Sequence, residues 1–544
     1  MLILFIILVK MANRTTLAIV AIVVIVILVV GVYAGVVLTK KSPTPTANIV
    51  TYASNSPMVT ADPSTEFSNS ILVLQNVYQT LTFYDSKSKT VEPLLALNWS
   101  SNANSTNWIF TLRQGVKFHD GTTFNASAVI YSVNRTMALG QGAAYIWAPV
   151  TRVYAISEYV VDFQTSYPAN LPLIASAGYA AYMMSPNIIS SYNLSSNANL
   201  SAWFNAGHDD GTGPYYITQW NPQTQVTLQK FKDYWGGWNN SQFSEVIIQI
   251  VTDSSTREQM VSSAGSMVIT SYIPYTDVNN LKNNTNVKVY ASPSYENLIA
   301  FYNTQVFPTN NSLVREALSY IWPYQQIINS SLQGYATQSR GPIPVGMWGH
   351  DNNLYQYSFN LSKARDLLAQ AGFPNGTGIP PLTLTYTAGD PYEQASSQLF
   401  QYYCSQIGIT VKVEPLVWTQ QWSLATSNVS SAQNIFIMYW WPTYPTPYDW
   451  LSNDFGNSWP PVFNLAYWNN TTFMNLITEA NSLEGTNYNE SVSLYYQAQS
   501  VLMNNTPAAF LFDMEDVYVV SSSIHGFSSN PAYETVAWFY DLYV

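Results

Sequence analysis

The stretch WIFTLRQGVKFHDGTTFNASAVIYSVNR, residues 108–135, holds a strand, a turn and a helix in sequence. Trp108–Arg113 alternates apolar and polar residues, the period of a half-buried strand. His119-Asp120-Gly121 reads as a turn, and Asn125–Leu139 switches to helical spacing. The same interleaving continues outward. Upstream, Asn48–Thr60 reads as a short strand entering a turn at Asp62-Pro63, and Ile71–Tyr84 has helical spacing. Downstream, Gly211-Thr212-Gly213-Pro214 breaks the chain before a hairpin of Tyr215–Trp220 and Val226–Phe231, and Glu245–Thr252 is a strand. Leu313–Ile328 and Leu361–Ala371 read as helices, the second ended by Gly372 and Pro374. Strands at Leu382–Tyr386 and Thr410–Pro415 flank a helix over Tyr392–Ile407. Such interleaving specifies an α/β or α+β class. With 544 residues the chain has material for roughly three folding units. No repeat of 20–50 residues is visible.

Composition narrows the function. Only 9% of residues are charged, against a usual ~25%. With 47% hydrophobic and 15% aromatic residues the chain still folds. A net charge of -11 argues against nucleic-acid binding, which needs Lys and Arg to neutralise phosphates. Few ion pairs suit an acidic exterior, where carboxylates are largely protonated; lineage-wide compositional drift is the alternative. The single cysteine, Cys404, excludes an internal disulfide, and no cysteine lies near the N-terminus for lipid attachment.

Leu17–Leu38 is 22 residues without a charge, enough to span a ~30 Å hydrocarbon core. It exceeds the apolar core of a cleavable signal, so a retained signal-anchor over residues 1–41 is expected, with a pilin-like signal cut near Arg14 as the alternative. Either Met1 or Met11 can be the start. Lys10 and Arg14 before the span balance Lys40 and Lys41 after it, so flanking charge gives no orientation. Residues 42–48 form a Pro/Thr-rich stalk. Beyond it lie more than a dozen glycosylation sequons, among them Asn98, Asn104, Asn125, Asn193, Asn428 and Asn489. Stalk and sequons place the body outside the cell, as a membrane-anchored surface glycoprotein.

The chain offers little to a catalytic mechanism. None of His119, His208, His350 and His525 is paired at metal-ligand spacing, so neither metal nor cofactor is expected. No G-x-S-x-G elbow, HExxH, Walker loop or dinucleotide fingerprint occurs. His208-Asp209-Asp210 reads as a solvated loop, and Glu296, Asp390 and Asp454 are acids with nothing to pair them. Aromatics are the conspicuous feature: Trp418, Trp422, Tyr439, Trp440, Trp441, Tyr444, Tyr448, Trp450 and Trp459 fall within about forty residues. Rigid rings with polar tips line binding clefts as readily as cores.

Seven blocks, in order, resemble the large solute-binding proteins of peptide/nickel-type ABC importers (the oligopeptide- and dipeptide-binding class, family 5). They are NVYQTLTFYD from Asn76, EPLLALNW from Glu92, the 108–135 stretch, GTGPYYITQW with KDYWGG from Gly211, LVREALSYIWPYQQIINSSLQGYA from Leu313, KARDLLAQAGFPNG from Lys363, and YYQAQSVLMNNTPAAFLF from Tyr495. The resemblance implies a two-lobed, periplasmic-binding-protein-like α/β fold closing on a hinge. It implies lobe 1 over 49–80, 205–300 and 511–544, an extra subdomain over 81–204, and lobe 2 over 301–510. Cys404 then falls on an apolar helix as a buried, inert thiol. His119-Asp120-Gly121 becomes a structural turn. The implied role is a monomeric receptor, not an enzyme, handing an oligosaccharide or oligopeptide to permease subunits with their cytoplasmic ATPases. A surface interaction protein that lost uptake, or a secreted hydrolase, are the competing classes.

The family's peptide binders use an Asp in a W-x-x-D-Y segment to hold the peptide ammonium. Here the segment is Trp440-Trp441-Pro442-Thr443-Tyr444, with Thr443 at the acidic position. Removing one partner of a buried charge pair costs about 2–5 kcal/mol. Asp449 or Asp454 can substitute from nearby, or the ligand is a sugar, as for some members, archaeal ones among them. Another departure is Gly265-Ser266-Met267-Val268, where the family has an acidic turn. The resemblance places Trp422, Trp440, Trp441, Thr443 and Tyr444 on the cleft from lobe 2, and Asn55 and Ser56 from lobe 1. Tyr302 is expected beside the crossover at Ile299–Asn303.

Overall fold

Among the described residues, seventeen strands fall into three sheets. The structure is a computed structural model that describes residues 49–194, 196–457, 463–533 and 536–544. The expected anchor Leu17–Leu38, the expected stalk and Trp459 lie outside the described residues. Among the described residues no helix is long and apolar enough to cross a membrane.

In chain order, β1 is Ile49–Ser54, and β2 (Thr82–Asp85) with β3 (Thr90–Pro93) is a small hairpin. β4 (Ala96–Ser101), β5 (Asn107–Leu112), β6 (Val150–Ser157) and β7 (Val160–Thr165) form an antiparallel sheet of order β4-β5-β7-β6. The remaining strands are β8 (Tyr215–Asn221), β9 (Gln225–Lys230), β10 (Glu245–Ile250), β11 (Val268–Ser271), β12 (Val287–Tyr302), β13 (Ala336–Gln338), β14 (Leu382–Thr387), β15 (Val411–Leu416), β16 (Ile435–Trp440) and β17 (Ala508–Ser521). With β1 they make one eleven-stranded sheet of order β15-β14-β16-β12-β17-β11-β1-β10-β9-β8, with β13 beside β17.

Two strands hold this sheet together. β12 and β17 pair antiparallel over nearly their whole length, from Val287 opposite Ser521 to Phe301 opposite Ala508. The end of β17 continues into β11 and β1, whereas the end of β12 continues into β16 and β14. Each half has its own core. Val50, Tyr52, Leu228 and Ile248 pack together on one side, and Trp322, Leu384, Phe400 and Ile437 on the other. A third and larger core, with Phe110, Trp147, Trp440 and Trp450 among its residues, gathers side chains from 71–183 and from 295–510, so the halves meet there as well as along the two shared strands. The register of β12 on β17 shifts between Pro293 and Asn297, opposite Glu515 and Asp513. Such irregularities bend strands and loosen the ladder.

The 108–135 stretch folds as its periodicity requires. Asn125 caps a helix over Ala126–Leu139 by accepting from the Ser127 amide, and Gly140 ends it with a positive φ. The turn is held from outside. His119 hydrogen-bonds Asp209 through Nδ1 and the Gly213 carbonyl through Nε2 at 3.0 Å, and the Asp120 amide donates to Asp210 at 3.0 Å. Asp209 and Asp210 are therefore buried partners of this turn, not a solvated loop. Arg135 forks onto Asp62 at 2.7 and 2.6 Å, both side chains buried.

Two helical expectations are too long. The first ends at Val77, because the Val77 carbonyl is taken by the Gly213 amide at 2.8 Å; Thr82–Asp85 is a strand. Leu313–Ile328 breaks into Ser312–Ile321 and Tyr324–Ser330 at Trp322-Pro323, where proline disfavours helical φ/ψ before it. Cys404 is fully buried on the helix Pro391–Ser405, and burial holds its thiol well above the ordinary range.

Candidate functional site

The two halves face each other across a cavity of about 660 Å³, within the ~300–1,000 Å³ of small-ligand sites. Strand direction explains its place. β1 runs parallel to β11, and β14 parallel to β15 and β16. Segments leaving the carboxyl ends of such strands converge, and ligands bind there in open α/β sheets. Asn55 follows β1, Tyr272–Tyr275 follow β11, Ala388–Tyr392 follow β14, and Tyr439 and Trp441 lie at the end of β16. The shared strands supply Glu296 and Met514–Tyr518 beside the register shift.

The loop after β11 is held under strain. Tyr272 has φ +53°, a conformation non-glycine residues rarely adopt. Its carbonyl accepts from Arg257 Nη2 at 2.7 Å, while Nη1 serves Val251 and Thr252 carbonyls at 2.7 and 2.9 Å. Arg257 is itself buried, so it fixes the loop from behind. Beyond the strained residue, the Tyr275 ring stacks on Tyr335 and on Tyr392, with centroids 4.8 and 4.9 Å away. Tyr392 lies in the first turn of the helix of the opposite half, so this stack bridges the halves.

Four acidic residues line the cavity: Glu296, Asp390, Glu515 and Asp516. No Lys, Arg or His is among its described lining residues. Asp390 caps its helix by accepting from the Tyr392 and Glu393 amides at 2.9 and 2.7 Å. Burial nevertheless raises its pKa above the usual carboxylate range. Burial also raises Glu515, with Lys282 opposing it.

The structure sorts the expected site residues. Asn55 and Trp441 line the cavity, and Trp441 is 40% exposed. Ser56 follows Asn55 but is outside the lining, its amide and carbonyl bonded to Ser54 Oγ. Trp440 points the other way, as alternation in β16 demands, and is only 6% exposed. Trp422, half-buried, joins it in a ring cluster through Phe463, with centroids at 5.2 and 4.8 Å. Tyr302 is in the core, not on the cleft: its hydroxyl accepts from Trp322 Nε1 at 3.0 Å and meets Ser319 Oγ. Tyr444 is also buried. Thr443 is buried with its hydroxyl bonded to that of Tyr145, and its amide donates to Asp449 at 3.1 Å. Asp449 and Asp454 are buried behind the wall, so neither reaches the cavity. Sequence reading noted Glu296 and Asp390 singly and missed Glu515 and Asp516. The available signal was an acidic Asp513-Met514-Glu515-Asp516 step inside an apolar strand run.

Comparison with known proteins agrees with this anatomy. Residues 90–460 match the family model "Bacterial extracellular solute-binding proteins, family 5 Middle". A "Probable D,D-dipeptide-binding periplasmic protein" of Escherichia coli K12 is 28% identical over 484 residues, covering 88% of this chain and 90% of its own length. A glutathione-binding protein of Pectobacterium atrosepticum is 27% identical over 465 residues, covering 84% and 87%. A periplasmic binding protein of Helicobacter pylori, solved with the peptide STSA, superposes with a TM-score of 0.77 at 22% identity, covering 91% and 98%. That likeness establishes the two-lobed binding-protein fold. With a shared fold, a cleft at the strand ends and a family match over most of its length, the chain belongs to the family 5 bacterial extracellular solute-binding proteins.

Proposed function

We propose that this chain is the receptor subunit of an ABC-type importer and that it captures a short peptide in the cavity between its halves. The observation that carries this reading is the cavity itself. Both halves wall it, and its floor is the pair of strands the halves share, at the point where their register shifts. A ligand touching both walls and the floor has more contacts in a closed form than an open one. It therefore shifts the population toward closure, which is the signal a permease needs. The relatives named for dipeptide and glutathione binding favour a peptide. On this reading lobe 1 comprises 49–80, 205–300 and 511–544, the extra subdomain 81–204 and lobe 2 301–510. The span Leu17–Leu38 anchors the monomeric protein with its body outside the membrane.

An oligosaccharide is the second reading, and one observation favours it: the aromatic residues Tyr272, Tyr275, Tyr392, Tyr439 and Trp441 line the same cavity. Melting temperature separates the two, since a ligand of the folded state adds RT ln(1 + [L]/Kd). Di- to pentapeptides are expected to raise it. Cello-, malto- or xylo-oligosaccharides raising it while peptides do not replaces the peptide with a sugar.

A further inference from the structure

We infer that the cleft takes a ligand carrying two or more positive charges, a basic short peptide or a polyamine. The inference rests on the reading of this cavity as the solute site and specifies its occupant. The chain has 31 acidic and 20 basic residues spread over 544 positions. Four of the acidic residues and none of the basic ones appear among the described residues lining this cavity. In a protein with so few charges, that segregation fixes the sign of the field in the cleft.

The four are divided between the hinge floor and one wall. Glu296 lies within the register shift of β12, and Glu515 and Asp516 lie on the neighbouring stretch of β17, opposite Pro293 and Ser292. Three carboxylates thus sit along the hinge floor. Asp390 stands apart from them on the wall of the other half, at the first turn after β14. Lys282 offsets part of the charge on Glu515 from outside the lining. Trp441 and Tyr392 add aromatic faces to the same walls. Carboxylates beside aromatic faces suit ammonium and guanidinium groups, which gain charge-assisted hydrogen bonds from the first and cation–π attraction from the second. Thr443 offers a ligand nothing, because its hydroxyl is engaged by Tyr145. A cation on the hinge floor touches the strands that bend, so its binding couples directly to closure.

Calorimetric titration of the full-length chain with Lys-Ala-Lys, Ala-Ala-Ala, Glu-Ala-Glu, spermidine and cellotriose tests this. Lys-Ala-Lys is expected to bind at least about tenfold more tightly than Ala-Ala-Ala, and the margin to shrink as salt screens the cleft. Glu296→Gln and Glu515→Gln, both at partly exposed positions that a neutral amide fits, are expected to cut the margin while leaving the melting temperature unchanged. Spermidine binding more tightly than Lys-Ala-Lys assigns the polyamine source within the same class. Equal affinities for Lys-Ala-Lys and Ala-Ala-Ala overturn the charge selectivity and leave the peptide reading standing. Binding of cellotriose alone overturns both.

Discussion

Two acidic regions lie on either side of one wall of this protein, and they do opposite things. In front, Glu296, Asp390, Glu515 and Asp516 face a cavity that a ligand's charge can enter. Behind it, Asp449, Asp454 and Glu484 are sealed in the core, with hydroxyls, amides and rings around them. Among the described residues neither oxygen of Asp454 has a hydrogen-bond partner. Burial disfavours the charged form, so Asp449 and Glu484 are pushed up to about 7 and Asp454 well above the carboxylate range. On the proposed reading the same residue type is a recognition element where a cation can reach it and a proton-holding group where none can, although burial raises Asp390 and Glu515 as well. Trp441 and Trp440 repeat the contrast in adjacent rings, one on the cavity and one in the core.

The largest expected effect comes from the sealed side. Glu66 is also raised by burial to about 7, and Glu393 and Asp210 to about 8. Unfolded Asp and Glu titrate near 4, so the folded chain holds these protons more tightly. Their contribution is complete below about pH 4 and is lost as pH rises toward 8. Urea unfolding is expected to give a stability at pH 4.5 that exceeds the pH 8 value by more than about 5 kcal/mol. A flat profile, or a fall toward acid, means these carboxyls are paired or solvated, and the contrast between the two regions collapses. Next in size is Trp440→Ala. It empties a buried ring site against Phe463 and is expected to cost about 3–5 kcal/mol of stability.

How far the fold was legible follows from what local sequence encodes. The 108–135 stretch and the hairpin from Tyr215 declare themselves because period and turn chemistry are local. The break at Val77 was invisible because the competing donor, Gly213, is far along the chain. The cleft was half legible for the same reason. Alternation along β16 puts either Trp440 or Trp441 on the cleft, but which one depends on the register against β12. Four carboxylates from three distant segments converge only once the sheet order is known. Thr443 was singled out from a motif, yet its side chain is committed to Tyr145, a residue of another segment.

Restoring acid at that position is the third test. Thr443→Asp places a carboxyl in a buried site whose amide already donates to Asp449. Two buried carboxylates so close cannot both ionise, so the variant is expected to lose about 3 kcal/mol at pH 7 and recover much of it at pH 4.5. It is expected to gain no affinity for tripeptides. A gain would mean that position 443 opens onto the cavity when ligand binds, and that the wall between the two acidic regions is not fixed.

The smallest expected effect is the most discriminating. Trp441 is 40% exposed on the cavity wall, so truncating it leaves no hole in the core. Trp441→Ala is expected to leave urea stability within about 0.5 kcal/mol of the parent, as for surface substitutions. Ligand affinity, read by calorimetry, is expected to fall about tenfold, the loss of one ring contact at about 1.4 kcal/mol. Trp440→Ala is expected to show the reverse, a large stability loss with little change in affinity for the protein that remains folded. Two neighbouring tryptophans with opposite profiles place the boundary between core and cleft at a single peptide bond. If Trp441→Ala instead destabilises and spares binding, the ligand does not use this wall, and the hinge carboxylates must hold it alone.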